Sequence, residues 1–280
     1  MFWCGDVTRE KRPGKNPGVY QRGAAMFITG VIGYPLKHTL SPKIQNFSFK
    51  KLKIKGIYFP LCIPPDDLED VFHRLIKLGF KGFNITNPYK MRIIKYVNSL
   101  TPVAKKIGAV NTVVIKDKKI IGDNTDVYGF ADSLKEHKIE LKDKKVLIIG
   151  AGGVVRACLY VLGQKKPKEI FITNRTESKI ESILHIYSAK KIPFSQISQY
   201  GPGLDIVINA TSVDIQDMVI PFLKPGGVYY DINYRFKLSG SKRIKLIDGI
   251  SMLIHQAAHS FRLWTGYRPV NLMKRALKEV

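Results

Sequence analysis

The chain has 280 residues, 45% of them hydrophobic and 24% charged, and its 46 Lys and Arg outnumber its 22 Asp and Glu. These values exclude a wholly disordered, collagen-like or low-complexity chain and leave room for two domains, each with its own core. No apolar run approaches the roughly 20 residues of a membrane helix, and the +24 charge creates a field that attracts anions of any class, from nucleic acid to small phosphates and carboxylates.

Residues 1–25 scatter charge, Gly and Pro with no apolar segment, and so do not form a secretory signal. They are expected to be a leader, disordered or upstream of the true start, with Met26 as the alternative initiator and a targeting role as the other reading. From Phe27, FITGVIG predicts a first strand. Ser41 as N-cap with Pro42 after it then predicts a helix toward Lys53. IYFPLCI from Ile57 predicts a second strand, and Pro65 opens a helix whose Leu68, Val71, Phe72, Leu75 and Ile76 recur at helical spacing before Gly79. GFNI from Gly82 is a third strand, Thr101-Pro102 starts a short helix, and VNTVVI and KII flank Asp117-Lys118 as a hairpin.

Near Lys144 the pattern restarts with KVLIIGAGG, a helix, EIFITNR, a helix, DIVINATS, a loop and GGVYYDINY. Apolar strands separated by helices predict a parallel, doubly wound sheet. After Gly249 the chain is helical again, and these helices are expected to pack back on the first unit. The fold class is therefore expected to be α/β, with residues 26–125 and 249–280 as an N-terminal α/β domain and residues 126–248 as a Rossmann domain.

Gly150-Ala151-Gly152-Gly153 lies between a strand and a helix, where glycines let the backbone approach a pyrophosphate and the helix N-terminus holds its charge. Val155 occupies the position where Gly or Ala usually allows close helix packing, so this helix is expected to stand slightly off the sheet. The next strand ends Asn174-Arg175-Thr176. NAD sites place an acid there, whereas Arg175 suits the 2′-phosphate of NADP, with Thr176 able to cap the following helix.

In the first unit, polar side chains gather at strand ends and loops. Thr39 and Ser41 can donate to a carboxylate, and Asn84, Thr86 and Asn111 can bind hydroxyls, although each also fits a turn or cap. Reducing a ketone with a nicotinamide needs a proton donor. A lysine of ordinary pKa, about 10.4, is already protonated at neutral pH, and Lys90 after NITNP, with Asp126, supplies the candidate pair. No metal is required. HQAAH from His255 lacks the Glu of a zinc-protease helix; His38 lies beside the polar loop, and His73, His137 and His185 are expected at the surface. Cys4, Cys62 and Cys158 are an odd set without CxxC spacing, which argues against a disulfide framework and for a reducing cytoplasm.

GYPLKHTLSP, GFNITNPYK, GAVNT, GDNTDVYG, IGAGGVVRA, TNRT, NATS, YYDINY and GISMLIHQAAHSFRLWTG, in this order from about Met26, resemble the shikimate dehydrogenase family. The resemblance implies NADPH-dependent reduction of 3-dehydroshikimate to shikimate on the route to chorismate, with the N-terminal α/β domain as the substrate domain. It implies Lys90 and Asp126 as the catalytic pair and Thr39, Ser41, Asn84, Thr86, Asn111, Tyr234 and Gln256 around the substrate. It places the cofactor on Gly150, Ala151, Gly152, Gly153 and Val154, on Asn174, Arg175 and Thr176, and, on the nicotinamide side, on Thr211, Ser212, Ile232, Gly249 and Met252. Two positions depart from the family pattern: Thr39 stands where Ser is usual, and Phe236 where Pro is usual. The added methyl of Thr39 keeps a quinate or dual quinate/shikimate dehydrogenase as the alternative. A non-catalytic basic protein that binds nucleic acid is the remote one, since no clustered Lys/Arg stripe with aromatics is present. The expected partner is a small molecule, with no nucleic acid and no membrane; the chain is expected as a monomer or homodimer.

Overall fold

The computed structural model describes residues 26–184, 187–240 and 243–279. The expectations for residues 1–25 and for His185 lie outside the described residues. Two six-stranded sheets organise the chain. In the first, β1 (Phe27–Gly33), α1 (Ser41–Lys51), β2 (Gly56–Cys62), α2 (Leu68–Lys77) and β3 (Gly82–Ile85) alternate as the apolar periodicity requires. β4 (Ser99–Leu100), α3 (Pro102–Ile107), β5 (Thr112–Lys116) and β6 (Lys119–Asp123) complete it in the order β2-β1-β3-β5-β6-β4. β1 is parallel to β2 and β3, and β5 is antiparallel to both neighbours. Asp117 and Lys118 turn between β5 and β6 with φ of 49° and 62°, the left-handed pair that a two-residue hairpin requires.

The start of α1 differs from expectation. Leu40, already helical in φ and ψ, takes the cap position, and Ser41 is the first helical residue with no side-chain cap. The cause is the bond from the Ile44 amide to the Leu40 carbonyl at 3.2 Å, which closes the first turn one residue early. Thr39 Oγ1 accepts the Ser41 amide at 3.3 Å instead. The helix ends at Lys51 rather than Lys53, because Lys53 adopts φ of 55°.

An unexpected helix, α4 (Asp126–Glu136), follows β6 and leads into the second sheet. There β7 (Lys145–Ile149), α5 (Gly153–Gln164), β8 (Glu169–Thr173), α6 (Ser178–Leu184), β9 (Lys190–Lys191), β10 (Leu204–Asn209), α7 (Gln216–Val219), β11 (Leu223–Asp231) and β12 (Lys245–Ile247) follow in turn. Every pairing is parallel, in the order β12-β11-β10-β7-β8-β9. Counted from β7, this is the doubly wound dinucleotide order, and the reversal between β7 and β10 makes the crevice where such sheets bind ligands. Val155 is fully buried in the core beneath α5.

α8 (Ile250–Thr265) and α9 (Val270–Lys278) return to the first sheet. Phe261, Trp264 and Met273 share one core with Phe49 and Tyr58, each large side chain contributing about 1.5–3 kcal/mol by burial. Trp264 Nε1 donates to the Val113 carbonyl at 3.1 Å, and a Cβ on Gly82 would fall 2.1 Å from that nitrogen, so only glycine lets the indole lie over β3. α8 also crosses α4 at Gly129, where a Cβ would meet Gln256 Cβ at 2.6 Å. Beside that crossing, His255 bonds Glu136 at 2.7 Å and His259 bonds Asp132 at 2.9 Å, with Arg268 and Lys274 completing the charge cluster.

Candidate active site

The loops that follow β1, β3, β10 and β11 converge on a cleft of about 620 Å³ between the two sheets. Thr39, Ser41, Asn84, Thr86, Lys90, Asn111, Asp126, Tyr234 and Gln256 all line it, as do Val154, Thr211, Ser212, Ile232, Gly249 and Met252. The sequence motifs, up to 217 positions apart (Thr39 to Gln256), are thus brought to one place.

At its floor Lys90 Nζ donates to Asp126 Oδ2 at 2.6 Å, with side-chain exposures of 13% and 7%. Asn111 Nδ2 donates to the other carboxylate oxygen at 2.8 Å. Asp126 is the first residue of α4, where the helix dipole favours a negative charge. Asn111 is itself fixed, its Oδ1 accepting the Thr125 amide at 2.6 Å and the Thr112 hydroxyl at 2.9 Å. The ammonium is therefore aimed from two sides: by its ion pair and by the residues that orient the carboxylate.

Asn84 is placed differently from a free hydroxyl binder. Its Oδ1 accepts the Tyr58 hydroxyl at 2.8 Å, and its Nδ2 donates to Ser260 Oγ at 2.8 Å and Thr112 Oγ1 at 3.2 Å. With its donors engaged, it can serve a ligand only through the remaining Oδ1 lone pair. Thr86, by contrast, lines the cleft with no protein partner for its hydroxyl among the described residues. The Thr39 hydroxyl accepts the Ser41 amide and also bonds the Tyr234 side chain. Tyr234 spans the cleft mouth, donating to the His38 carbonyl at 3.3 Å. Burial pushes its phenol above the ordinary value, against hydrogen bonds to the Leu40 backbone and the Thr39 side chain.

Gly150, Ala151, Gly152 and Gly153 lie beside the cleft, and Asn174, Arg175 and Thr176 lie beyond it at the end of β8. Gly150 has φ of 128°, and a Cβ there would press on the Ala210 carbonyl at 3.0 Å. Gly152 caps α5 without a side-chain bond and has open space where a Cβ would stand. A helix N-terminus with unspent amides beneath open space fits a pyrophosphate. Arg175 is exposed and forms no ion pair among the described residues, which leaves its fork for a phosphate. The residues present therefore fit NADP. Thr176 does not cap α6, which begins at Ser178; its carbonyl, not its hydroxyl, accepts Asn174 Nδ2 at 2.8 Å and the Lys179 amide at 3.2 Å.

Sequence reasoning missed the supports. Tyr58, Thr112, Thr125 and Ser260 form the buried polar network under Asn84 and Asn111. Asn209 holds the Thr211 amide and hydroxyl at 3.0 and 2.8 Å and donates to Asp231 at 3.2 Å. Burial raises the Asp231 carboxyl, opposed by hydrogen bonds from the Asn233 amide, Asn209 and Tyr229. The only sequence signal of Asn209 and Asp231 was membership of NATS and YYDINY, and that of Thr112, Thr125 and Ser260 membership of GAVNT, GDNTDVYG and GISMLIHQAAHSFRLWTG; Tyr58 lies in no such motif.

Comparison with known proteins agrees with this geometry. Family profiles described as "Shikimate dehydrogenase substrate binding domain", "Shikimate / quinate 5-dehydrogenase" and "Shikimate 5'-dehydrogenase C-terminal domain" match residues 31–113, 133–219 and 249–278. The chain is 37% identical over 256 residues to the shikimate dehydrogenase (NADP(+)) of Caldanaerobacter subterraneus, covering 85% of this chain and 91% of that one. Its structure resembles that of shikimate dehydrogenase from Aquifex aeolicus with a TM-score of 0.81 at 32% identity, covering 91% of this chain and 98% of that one. It also resembles the Thermus thermophilus enzyme in complex with NADP(H) and shikimate, with a TM-score of 0.78 at 29% identity over 90% and 99% of the two chains.

Proposed function

The chain belongs to the shikimate dehydrogenase family, and from that premise we propose that it catalyses the reversible, NADPH-dependent reduction of 3-dehydroshikimate to shikimate, toward chorismate and the aromatic amino acids. The observation that carries this is the Lys90–Asp126 pair at 2.6 Å, facing a cleft that the glycine-loop helix also borders. When bound, NADPH supplies the hydride that reduces the ketone carbon. Lys90 donates a proton to the ketone oxygen as negative charge develops there, and in the reverse direction its neutral amine takes the proton back. Asp126 and Asn111 hold the ammonium in line.

Thr39 and Ser41 take the substrate carboxylate, with Tyr234 beside them around the substrate; Thr86, Asn111 and Gln256 bind its hydroxyls, with Asn84 as an acceptor. Gly150, Ala151, Gly152, Gly153 and Val154 hold the pyrophosphate, and Asn174, Arg175 and Thr176 the 2′-phosphate. Thr211, Ser212, Ile232, Gly249 and Met252 shape the nicotinamide side. Residues 26–125 and 249–280 chiefly serve the substrate and residues 126–248 the cofactor, with Asp126 and Tyr234 reaching the substrate and Gly249 and Met252 the nicotinamide from across the cleft. Among the described residues no helix is long and apolar enough to cross a membrane, and we place the enzyme in the cytoplasm as a monomer or homodimer.

The test follows NADPH absorbance with 3-dehydroshikimate, running NADH, and separately quinate with each oxidised cofactor, in parallel. Oxidation of NADPH that depends on dehydroshikimate is the expected result. A response confined to quinate with NAD would overturn both the substrate and the Arg175 assignment.

A further inference from the structure

The two glycines that open α5 are glycines for different reasons. A Cβ on Gly152 would meet nothing within 4 Å, whereas a Cβ on Gly153 would stand 3.1 Å from both Cβ and Cδ of Lys90. That is well inside ordinary van der Waals contact. The absence of a side chain on the first residue of the dinucleotide-loop helix therefore leaves the space that the stem of the lysine fills. Gly153 cannot yield, because α5 is anchored through the fully buried Val155, Ala157, Cys158 and Leu159. Lys90 is fixed at its root as well, its carbonyl accepting the Val110 amide at 2.7 Å. An added methyl would fall on the segment between that root and the Nζ paired with Asp126 at 2.6 Å.

We propose that Gly153 is a positioning residue for Lys90, keeping the ammonium in register with Asp126 and the ketone by leaving free the space that the lysine stem occupies. This rests on the reaction proposed above. Gly153 is absent from the positive-φ glycines and lies in a helix, so alanine suits its backbone and the Gly153→Ala chain should fold.

The experiment compares wild type, Gly153→Ala, Gly152→Ala, Lys90→Ala and the Gly153→Ala/Lys90→Ala double variant. It measures kcat and KM with 3-dehydroshikimate and NADPH, and NADPH binding by fluorescence. Gly153→Ala is expected to lose about tenfold or more in kcat, as a small misplacement of a reacting group does, with a clearly smaller loss of NADPH affinity, because alanine keeps the backbone amide through which Gly153 would serve the pyrophosphate. Gly152→Ala, pointing at the cofactor side, is expected to show the opposite split. In the Lys90→Ala background, Gly153→Ala should cost nothing further, because residues acting through one another are not additive. An unchanged kcat in Gly153→Ala, a loss confined to NADPH affinity, an additive double variant, or a chain that fails to fold would each overturn the inference. A wild type unable to oxidise NADPH with dehydroshikimate would overturn the reaction and this inference with it.

Discussion

Each oxygen of Asp126 accepts one hydrogen bond, one from Lys90 and one from Asn111, an arrangement that suits the orienting role proposed for the carboxylate. Lys90→Ala is therefore expected to lower kcat by about 10²–10⁴ and leave KM for dehydroshikimate within a few-fold; a loss of affinity at unchanged turnover would reassign the lysine to binding. Arg175 makes a separable contribution. Arg175→Ala is expected to raise KM for NADPH by about 10- to 100-fold, the value of a lost charge-assisted bond, and to leave NADH unaffected; equal effects on both cofactors would contradict the 2′-phosphate assignment. At this scale the placement was legible where a motif fixed the context, as for Lys90 after NITNP, which the fold sets beside Asp126, or Arg175, which lies exposed just past β8. Tyr58 and Ser260 were not legible, because each is an ordinary core residue until strands and helices far apart in sequence bring its hydroxyl to Asn84.

The elements were legible where periodicity alone decides, and not where a partner decides. α4 escaped notice because Gly129 interrupts its pattern, yet that glycine is what allows α8 to cross at Gln256. β4 and β9 are two residues each and exist through their pairing rather than their own propensity. The α4–α8 contact also gives a pH dependence. Burial would raise Asp132, but the His259 bond and the charges of Arg268, His259 and His255 hold its carboxyl below the ordinary value. Burial is likewise outweighed at Glu136 by Lys274 and His255. His259 lies below its ordinary value because burial outweighs the pull of Asp132. All three groups bind fewer protons folded than unfolded, so their contribution is complete above about pH 6.5, starts to fall as His259 titrates, and is lost through the carboxylate range. Asp132→Asn is expected to cost about 1 kcal/mol in urea unfolding at neutral pH, a cost that shrinks as pH falls below the ordinary carboxylate range. A difference that stays constant across that range would remove the cluster from the stability account.

Over the whole molecule, the +24 charge fits a substrate carboxylate and a multiply phosphorylated cofactor without requiring any other partner. The value of kcat/KM for NADPH is expected to fall several-fold between about 20 and 300 mM salt, as screening shortens the field that steers the anion; a flat salt response would mean the surplus charge plays no part in capture. The fold class and the parallel second sheet followed from apolar strands alternating with helices, but the path of the chain between the units did not. It leaves the first sheet after Asp123, builds the second, and only then supplies α8 and α9 to close the core over Phe49 and Tyr58. A ribosome thus releases the six strands of the first sheet long before the helices that cover them, while the intervening sheet can complete its own burial as it emerges. Contacts of such long sequence separation form late, so the half of the enzyme that is synthesised first is the half whose folding finishes last.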